Sequence, residues 1–279
     1  MPAWADIVYF PSEETKLQRI TDLAASRAAQ VLVDEHRGDV RFRAYAGEFG
    51  VSNIQDAYAV QREYVRLQSE IRKAVSRGYK IGLTSARMQA MCRIDSPLAG
   101  VVLSDRVHFS GVRIARSDYG RLGLEFEIAV KMARDLSGGR HTVDEVSAAV
   151  EHVCPAIEIV DDRNADYSNL EALSLISDNA WNAGIVLGDF QGDWPDLAEI
   201  EGRASMDGAE IGRGHGRDVL DHPFHAVAWL ADHLASSGSG LRAGDIVMTG
   251  SIITTKFPDA PCRYRFELGE LGAVEVSVE

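Results

Sequence analysis

Two glutamates, Glu125 and Glu127, alternate with apolar residues in the stretch LEFEI at positions 124–128. If this stretch forms a β-strand, alternate side chains share one face, and the two carboxylates lie roughly 6–7 Å apart along it. A pair of carboxylates on one face can contribute to a metal site. A strand with one face in solvent would show the same alternation, so the pair alone leaves both interpretations open.

A third acidic position, Glu158, lies between two isoleucines in a second apolar run, PAIEIVD. Apolar residues on both faces are typical of a fully buried strand, where a carboxylate is costly unless a cation accompanies it. Lys131, Arg134 and Arg163 are basic, but they fall at predicted strand ends or in loops. A divalent cation would solve the problem, and three carboxylates favour Mg²⁺ or Mn²⁺ first and Ca²⁺ second. Open coordination positions would then bind substrate or water.

Other polar residues are weaker candidates for a site. Asp178 and Asn179, in SDNAWNAG, could line the site or form a turn. Ser251 follows a glycine in MTGSIIT and could donate a hydrogen bond to a substrate carboxylate, or it could mark a strand bulge. His222 and His225 could in principle bind zinc, but no third ligand accompanies them, which favours a helix cap or a surface role.

The N-terminal part of the chain has the pattern of helices. Residues 13–39 are rich in Ala, Leu and Arg, with apolar residues at helical spacing. A second helix is predicted to begin at Ser52, which would be its N-cap, with Asp56 in the first turns. We therefore predict a helical N-terminal region over residues 1–77 that acts as scaffold or oligomer contact.

From Gly78 onwards, glycines and turn residues divide the chain into short apolar runs of strand length. Two helical segments interrupt these runs. One begins at Thr142, where Glu145 completes a capping box, and the other is HPFHAVAWLADHLASSG. The pattern predicts a mostly β catalytic domain over residues 78–279, so that the chain as a whole is α+β.

Composition limits the kinds of partner. The 279 residues include 46% hydrophobic residues, enough for a substantial core, and the formal net charge is −13. Such an acidic surface disfavours nucleic acid and anionic membranes as partners. Three widely spaced cysteines argue against a disulfide framework. With no basic leader and no apolar run of about 18 residues, we expect a cytoplasmic protein.

Six segments carry a resemblance to a known family. They are GYKIGLTS, LEFEIA, PAIEIVD, SDNAWNAGIVLG, HPFHAVAWLADHL and GDIVMTGS, in this order along the chain, and the match as a whole runs from about residue 50 to the C-terminus. Together they resemble the 2-keto-4-pentenoate hydratase family, in the hydratase/decarboxylase branch of the fumarylacetoacetate hydrolase superfamily. The resemblance implies a mixed β-roll with peripheral helices, and Mg²⁺ or Mn²⁺ held by Glu125, Glu127 and Glu158. It also implies a catalytic or substrate-anchoring role for Lys80, and a cytoplasmic homo-oligomer.

The reaction implied by the resemblance is the addition of water to a 2-hydroxy-2,4-dienoate, giving a 4-hydroxy-2-oxo acid in the meta-cleavage catabolism of aromatic compounds. Hydratases of the family usually carry an Asp-Tyr pair after the proline that follows the GLTS segment, whereas this chain has Leu98 and Ala99. A polar group that could handle protons or water is therefore missing.

Several alternatives use the same fold. One is a 2-oxo-3-hexenedioate (4-oxalocrotonate) decarboxylase, and another is a different C–C lyase or hydrolase of 2-oxo acids. A third is a non-catalytic subunit that supports a pathway enzyme, and a pathway decarboxylase is also a candidate partner. A substrate with a second carboxylate would need its own cation, for which Arg121, Arg87 and Arg163 are available.

Overall fold

The computed structural model describes residues 20–279 as two β-sheets with helices packed around them. Residues 13–19 of the predicted first helix lie outside the described part of the chain. The helices are α1 Asp22–Arg37, α2 Ile54–Arg72, α3 Ala86–Cys92, α4 Val143–Ser147, α5 Ala172–Ser177 and α6 Pro223–Ser236. Across residues 20–279, none of them is both long enough and apolar enough to cross a bilayer.

Side-chain caps fix where the helices begin. The prediction that Ser52 caps α2 is wrong by one residue, because the N-cap is Asn53, whose side chain accepts a 2.9 Å hydrogen bond from the Asp56 N–H. Ser52 instead donates its N–H and its hydroxyl to the Asp56 carboxylate. Asparagine caps a helix as well as serine does, so local composition could not separate the two positions. The capping box of Thr142 and Glu145 is confirmed.

Twelve strands within the described residues form the two sheets. They are β1 Ser76–Gly82, β2 Leu98–Leu103, β3 Val107–Phe109, β4 Val112–Ile114, β5 Leu122–Met132, β6 Val150–Asp161, β7 Asn182–Leu187, β8 Glu201–Met206, β9 Ala209–His215, β10 Ile246–Lys256, β11 Cys262–Leu268 and β12 Ala273–Val278. The seven-stranded sheet has the order β2-β1-β10-β5-β6-β7-β3 and the five-stranded sheet the order β4-β12-β11-β8-β9. Both contain parallel and antiparallel pairs, so the sheets are mixed.

The central strand β5 separates an apolar face from an acidic one. Leu124, Phe126 and Ile128 are fully buried, and the ring of Phe126 lies 5.6 Å from that of Phe266 in the five-stranded sheet. This contact belongs to the main hydrophobic core. Since side chains alternate along a strand, the opposite face of β5 carries the glutamates. The predicted alternation is therefore confirmed.

The N-terminal helices are tied to the sheet. Their apolar side chains share a second core with residues of β2, β6 and α5. Gln61 of α2 donates hydrogen bonds of 2.8 Å to the carbonyls of Ala99 and Ile176, and the Tyr58 hydroxyl accepts one of 3.0 Å from the Ala99 N–H. Strand β2 therefore pairs with β1 along one edge, and side chains of α2 bond to the backbone of Ala99 in β2. The division of the chain at residue 77 stays a prediction.

Candidate metal centre

Three glutamates converge on one face of the seven-stranded sheet. Glu125 of β5 lies directly opposite Glu158 of β6, and Glu127 follows on the same face. One carboxylate oxygen from each residue lies within 4.8 Å of the others. Glu127 and Glu158 are fully buried, whereas Glu125 is partly exposed. The register of two antiparallel strands therefore produces a cluster of three carboxylates with one open side.

Each of these carboxylates is held through one oxygen by a donor on a neighbouring strand. The pairs are Thr255 Oγ1 with Glu125 Oε1 at 2.7 Å, Gly250 N–H with Glu127 Oε2 at 2.7 Å, and Asn182 Nδ2 with Glu158 Oε1 at 2.8 Å. The remaining buried oxygens, Oε1 of Glu127 and Oε2 of Glu158, have no hydrogen-bond donor. Buried polar atoms nearly always have a partner, so two free carboxylate oxygens fit a bound cation. An all-oxygen donor set suits a hard divalent ion.

Lys80 of β1 is the basic side chain that the described residues place within ion-pair distance of the cluster. Its Nζ lies 3.2 Å from Glu158 Oε2, and the residue is only 4% exposed. The separation makes an ion pair, and this ammonium is the partner that the described residues offer to the Glu158 Oε2 atom. Three carboxylates against one ammonium leave a buried excess of negative charge.

Burial and the neighbouring charges shift the pKa values of Glu127, Glu158 and Lys80. Burial, together with the negative charges of its neighbours, raises the pKa of Glu127 well above its ordinary value. Burial also raises the pKa of Glu158 to about 7, although Lys80 acts against the shift. Burial lowers the pKa of Lys80, but the negative charges of Glu158, Glu125 and Glu127 outweigh this and raise it. A divalent cation would favour the ionised carboxylates in the same way that Lys80 does.

The surroundings of Lys80 are apolar on one side. Leu98 is only 1% exposed and packs against Gly82. A Cβ added at Gly82 would lie 3.2 Å from Leu98 Cδ1 and 3.3 Å from Lys80 Nζ. Leu98 and Ala99, which stand where hydratases usually carry Asp and Tyr, are both buried. Because both side chains are apolar, they place no carboxylate beside the Lys80 ammonium.

Ser251 lies in β10 opposite Glu127, but its hydroxyl bonds to the backbone. It accepts a 3.0 Å hydrogen bond from the Phe126 N–H and donates one of 2.7 Å to the Ile253 carbonyl. The register between β5 and β10 shifts here, which agrees with the bulge interpretation. A contact between Ser251 and a substrate carboxylate stays a prediction.

Asp178 and Asn179 lie outside the glutamate cluster and brace its surroundings. The Asp178 carboxylate is buried 2.6 Å from His36 Nε2 and accepts a 2.6 Å hydrogen bond from Arg163. Asn179 bonds to both backbone groups of Val101, accepting from its N–H at 2.7 Å and donating to its carbonyl at 2.9 Å. These contacts make both residues structural supports of β2 and α1, and a role toward substrate stays a prediction.

The predicted site residues did not include Asn182, the donor to Glu158. It follows a turn in which Asn179, Ala180 and Trp181 all have left-handed backbone angles, with φ of 49°, 51° and 58°. Consecutive residues of this kind are strained and persist only where their surroundings fix them. The turn places Asn182 at the start of β7 with its amide directed at Glu158. No sequence signal distinguishes this asparagine from an ordinary loop residue.

His222 and His225 have the helix-cap and surface roles that the sequence favoured. His222 is the N-cap of α6, and its Nδ1 accepts a 3.0 Å hydrogen bond from the Phe224 N–H. Its ring centroid lies 6.0 Å from that of His225. Among residues 20–279, the three glutamates form the only group of His, Cys, Asp or Glu side chains arranged to hold a metal.

Comparison with known proteins gives consistent matches over most of the chain. The sequence model of the family described as fumarylacetoacetate (FAA) hydrolase C-terminal matches residues 88–279. A 2-oxo-hept-4-ene-1,7-dioate hydratase from Escherichia coli is 34% identical over 253 residues, covering 88% of this chain and 94% of the relative. A 2-keto-4-pentenoate hydratase from Dechloromonas aromatica is 35% identical, covering 82% of this chain and 88% of the relative.

The fold has a well-matched counterpart among solved structures. The 4-oxalocrotonate decarboxylase from Pseudomonas putida G7, complexed with magnesium and adipate, superposes with a TM-score of 0.87 at 26% identity. The match covers 93% of this chain and 98% of the decarboxylase. The predicted α+β fold, a mixed β-roll with peripheral helices, is therefore confirmed.

Proposed function

Because this chain belongs to the fumarylacetoacetate hydrolase family, in its 2-keto-4-pentenoate hydratase branch, we propose that it is a metal-dependent hydro-lyase. It adds water to a 2-hydroxy-2,4-dienoate to give a 4-hydroxy-2-oxo acid in aromatic meta-cleavage catabolism. The observation that carries this proposal is the cluster of Glu125, Glu127 and Glu158, in which one buried oxygen of Glu127 has no donor and one of Glu158 has only the Lys80 ammonium beside it.

The bound ion is proposed to be Mg²⁺ or Mn²⁺, held by the three glutamates. The magnesium in the related decarboxylase structure supports this choice, as does the all-oxygen donor set of the cluster. When bound, the ion supplies a positive charge that anchors an anionic substrate and stabilises negative charge on its 2-oxygen. It also compensates the negative charge that Lys80 alone leaves unbalanced.

Lys80 is proposed to handle protons and to hold the substrate. Hydration requires a proton at C5 of the dienol, loss of the proton from its 2-hydroxyl, and addition of water across C3 and C4 of the resulting enone. The Lys80 ammonium can hold a proton at the glutamate cluster, where it lies 3.2 Å from Glu158. Leu98 contributes no acid or base there, so the proton transfers would depend on Lys80 and on water.

A second reaction has a specific observation in its favour. The fold superposes on a 4-oxalocrotonate decarboxylase, and Leu98 and Ala99 replace the polar pair of typical hydratases. Decarboxylation and hydration pass through the same kind of enolate, which a divalent ion held by the same glutamates would stabilise. A non-catalytic subunit is the weaker alternative, because it would gain nothing from gathering three carboxylates of which two are fully buried.

We also propose that the chain works as a homo-oligomer in the cytoplasm, with small 2-oxo or 2-hydroxydienoic acids as substrates and a pathway decarboxylase as a candidate partner. The related decarboxylase supports the last point. Nothing in the acidic composition favours a nucleic-acid or membrane partner.

A two-substrate assay tests the proposed reaction. Purified protein with Mg²⁺ is given 2-hydroxypenta-2,4-dienoate and, separately, a 2-oxohexenedioate, while product mass and CO₂ are followed. We expect hydration of the first, and loss of that activity in Glu125→Gln with the exposed Glu270→Gln as matched control. CO₂ release from the second substrate without hydration of the first would establish the decarboxylase instead. Full activity in Glu125→Gln would rule out the metal mechanism.

A further inference from the structure

A cavity of about 370 Å³ lies between the N-terminal helices and the seven-stranded sheet. One wall is the C-terminal half of α2 together with the end of α1, and the opposite wall is formed by β2 and the start of β7. Within residues 20–279, neither the three glutamates nor Lys80 lines this helix–sheet cavity. Its volume is in the range of small-molecule sites, so the chain has a second space that a ligand can occupy.

Three arginines from separate elements line the helix–sheet cavity. They are Arg37 at the end of α1, Arg72 at the end of α2 and Arg106 in the turn after β2. Arg72 and Arg106 share the carboxylate of Asp105, at 3.0 Å and 4.0 Å. Among the described residues, the carboxylate within ion-pair distance of Arg37 is that of the exposed Asp34, 3.9 Å away on the same helix. Exposed ion pairs of this kind contribute little, so these guanidinium groups can bind an anionic ligand.

The acids that line the same cavity limit how much negative charge it can accept. Asp178 is neutralised by the buried Arg163, which donates to it at 2.6 Å. Asp161 accepts from the backbone N–H groups of Arg121 and Arg163 through one oxygen, and Asp118 is exposed at the edge of the cavity. Because Asp161 and Asp118 remain opposed to the arginines, the cavity suits a ligand with one negative charge better than one with two.

Aromatic and aliphatic side chains complete the lining. The rings of His36 and Tyr64 lie 5.5 Å apart, and Tyr119 and Trp181 also border the cavity. A guanidinium binds a carboxylate through paired N–H donors, whereas aromatic side chains pack against the flat body of an aromatic or unsaturated ligand. The lining therefore matches a small monocarboxylate with a flat, apolar body.

The same cavity borders the turn that positions Asn182. Asn179, Ala180 and Trp181 in this turn have left-handed backbone angles, and such strained residues persist only where their surroundings fix them. Asn182 follows directly and donates to Glu158 at 2.8 Å. A ligand packed against the turn adds contacts that hold it in place, so occupation of the cavity favours the orientation of Glu158 that Asn182 maintains.

We propose that the helix–sheet cavity binds a small aromatic or unsaturated monocarboxylate, and that this ligand strengthens the binding of a divalent ion at the three glutamates. The first part is independent of the proposed function, and the second rests on its metal site. Coupled sites typically change each other's affinity by about 5-fold to 150-fold, and the change is reciprocal. The link runs through one turn and one hydrogen bond, so we expect about 5-fold, at the lower end of this range.

Benzoate is the probe for the first part. Titration calorimetry is carried out on the metal-free protein, in which the charge of the glutamates repels an anion and leaves the helix–sheet cavity as the binding site. We expect benzoate to bind with a stoichiometry of one per chain, and inorganic phosphate at the same ionic strength to bind more weakly. No binding of benzoate, or equal affinity for phosphate, would overturn the proposal.

Arginine variants test where benzoate binds. Arg37→Met and Arg106→Met each remove one guanidinium that reaches solvent, so neither change removes a core contact. Each should weaken benzoate binding about 10-fold or more, as expected for loss of a hydrogen bond between charged groups. Arg113→Met, which removes an exposed arginine paired with Glu279, is the matched control and should bind benzoate like the wild type. Unchanged affinity in both cavity variants, or an equal loss in the control, would place benzoate elsewhere and end the proposal.

The second part is tested by titrating Mg²⁺ with and without saturating benzoate. We expect Mg²⁺ to bind about 5-fold more tightly to the wild type in the presence of benzoate, and no change in Arg106→Met. Unchanged Mg²⁺ affinity in the wild type, or a gain retained in Arg106→Met, would overturn the coupling. Benzoate binding to a protein that binds no Mg²⁺ would end the proposed function and leave the helix–sheet cavity as a carboxylate site.

Discussion

Asn182 holds Glu158 through one oxygen only, with its side-chain amide 2.8 Å from Oε1, and so leaves Oε2 free beside Lys80 at 3.2 Å. One oxygen of this fully buried carboxylate is therefore held by Asn182, while the other faces Lys80 and could bind a metal ion. Hydrogen bonds of this type orient metal-binding carboxylates. Asn182 is therefore a positioning residue for the proposed metal site.

Replacing Asn182 by alanine should weaken Mg²⁺ binding about 10-fold to 100-fold, because Glu158 loses the donor that orients it. The free energy of unfolding without metal should fall by only about 1 kcal/mol, the value of one hydrogen bond. Titration calorimetry and urea unfolding measure the two effects. Asn169→Ala removes an exposed amide elsewhere and serves as the control. Unchanged Mg²⁺ affinity in Asn182→Ala would show that Glu158 does not need this donor.

Compared with the wild type, Glu127→Gln should be at least as stable without metal and less stable with saturating Mg²⁺. The amide oxygen can still accept from the Gly250 N–H, but the buried charge beside Glu158 is gone. We therefore expect the metal-free variant to be at least as stable as the wild type. Mg²⁺, which at a hundredfold excess over Kd stabilises a binding-competent protein by about 2.7 kcal/mol, should no longer raise its Tm. Glu270→Gln should respond to Mg²⁺ like the wild type, and a Mg²⁺ response retained in Glu127→Gln would contradict the prediction.

The stability of the metal-free protein should depend on pH through Glu158. Because burial raises its pKa to about 7, the folded state binds this proton more tightly than the unfolded state does. Its contribution is fully present below the ordinary glutamate pKa, near 4.3, and is lost as the pH rises through about 7. Unfolding in urea between pH 5 and pH 8 should show a stability that falls with pH relative to Glu158→Gln.

The comparison with Glu158→Gln is needed because a buried histidine changes the free energy of unfolding with pH in the opposite direction. Burial lowers the pKa of His233 to about 4, so its contribution is lost as the pH falls below the ordinary histidine value. This term is common to both proteins and cancels in their difference. A difference that stays constant from pH 5 to pH 8 would contradict the assigned shift of Glu158. Saturating Mg²⁺ should abolish the fall in stability between pH 5 and pH 8, since the metal competes with the proton and keeps the Glu158 carboxylate ionised in the folded state.

Lys80→Met should separate catalysis from metal binding. Loss of a general acid or base typically lowers kcat by about 10²-fold to 10⁴-fold. Removing a positive charge 3.2 Å from Glu158 should at the same time strengthen Mg²⁺ binding. Steady-state hydration and calorimetry test the two parts, with Lys131→Met, which breaks an ion pair to Glu151 on the protein surface, as control. Weaker Mg²⁺ binding in Lys80→Met would indicate that the lysine supports the cluster structurally.

The convergence of the glutamates could be predicted because it follows from local pattern. Alternation fixes the shared face of Glu125 and Glu127, and apolar neighbours mark Glu158 as buried. The short apolar runs of strand length after Gly78 likewise predicted the β-rich part of the chain. The contacts that sequence reasoning missed join distant segments: Asn182 with Glu158, and Asp178 with His36 across 142 positions. Such pairings depend on strand register and on a strained turn, and neither has a local signature.

The side-chain bonds from α2 to Ala99 have a consequence for folding. Strand β2 depends on Tyr58 and Gln61 for backbone partners that the sheet does not supply at this position. A fragment without the first two helices would expose these groups together with a large apolar surface. The helices and the sheets should therefore melt in one cooperative transition, and the amide of Ala99 should exchange with solvent deuterium no faster than those in the interior of β5. The part of the chain that precedes the acidic cluster is in this sense as much a component of the enzyme as the strands that carry it.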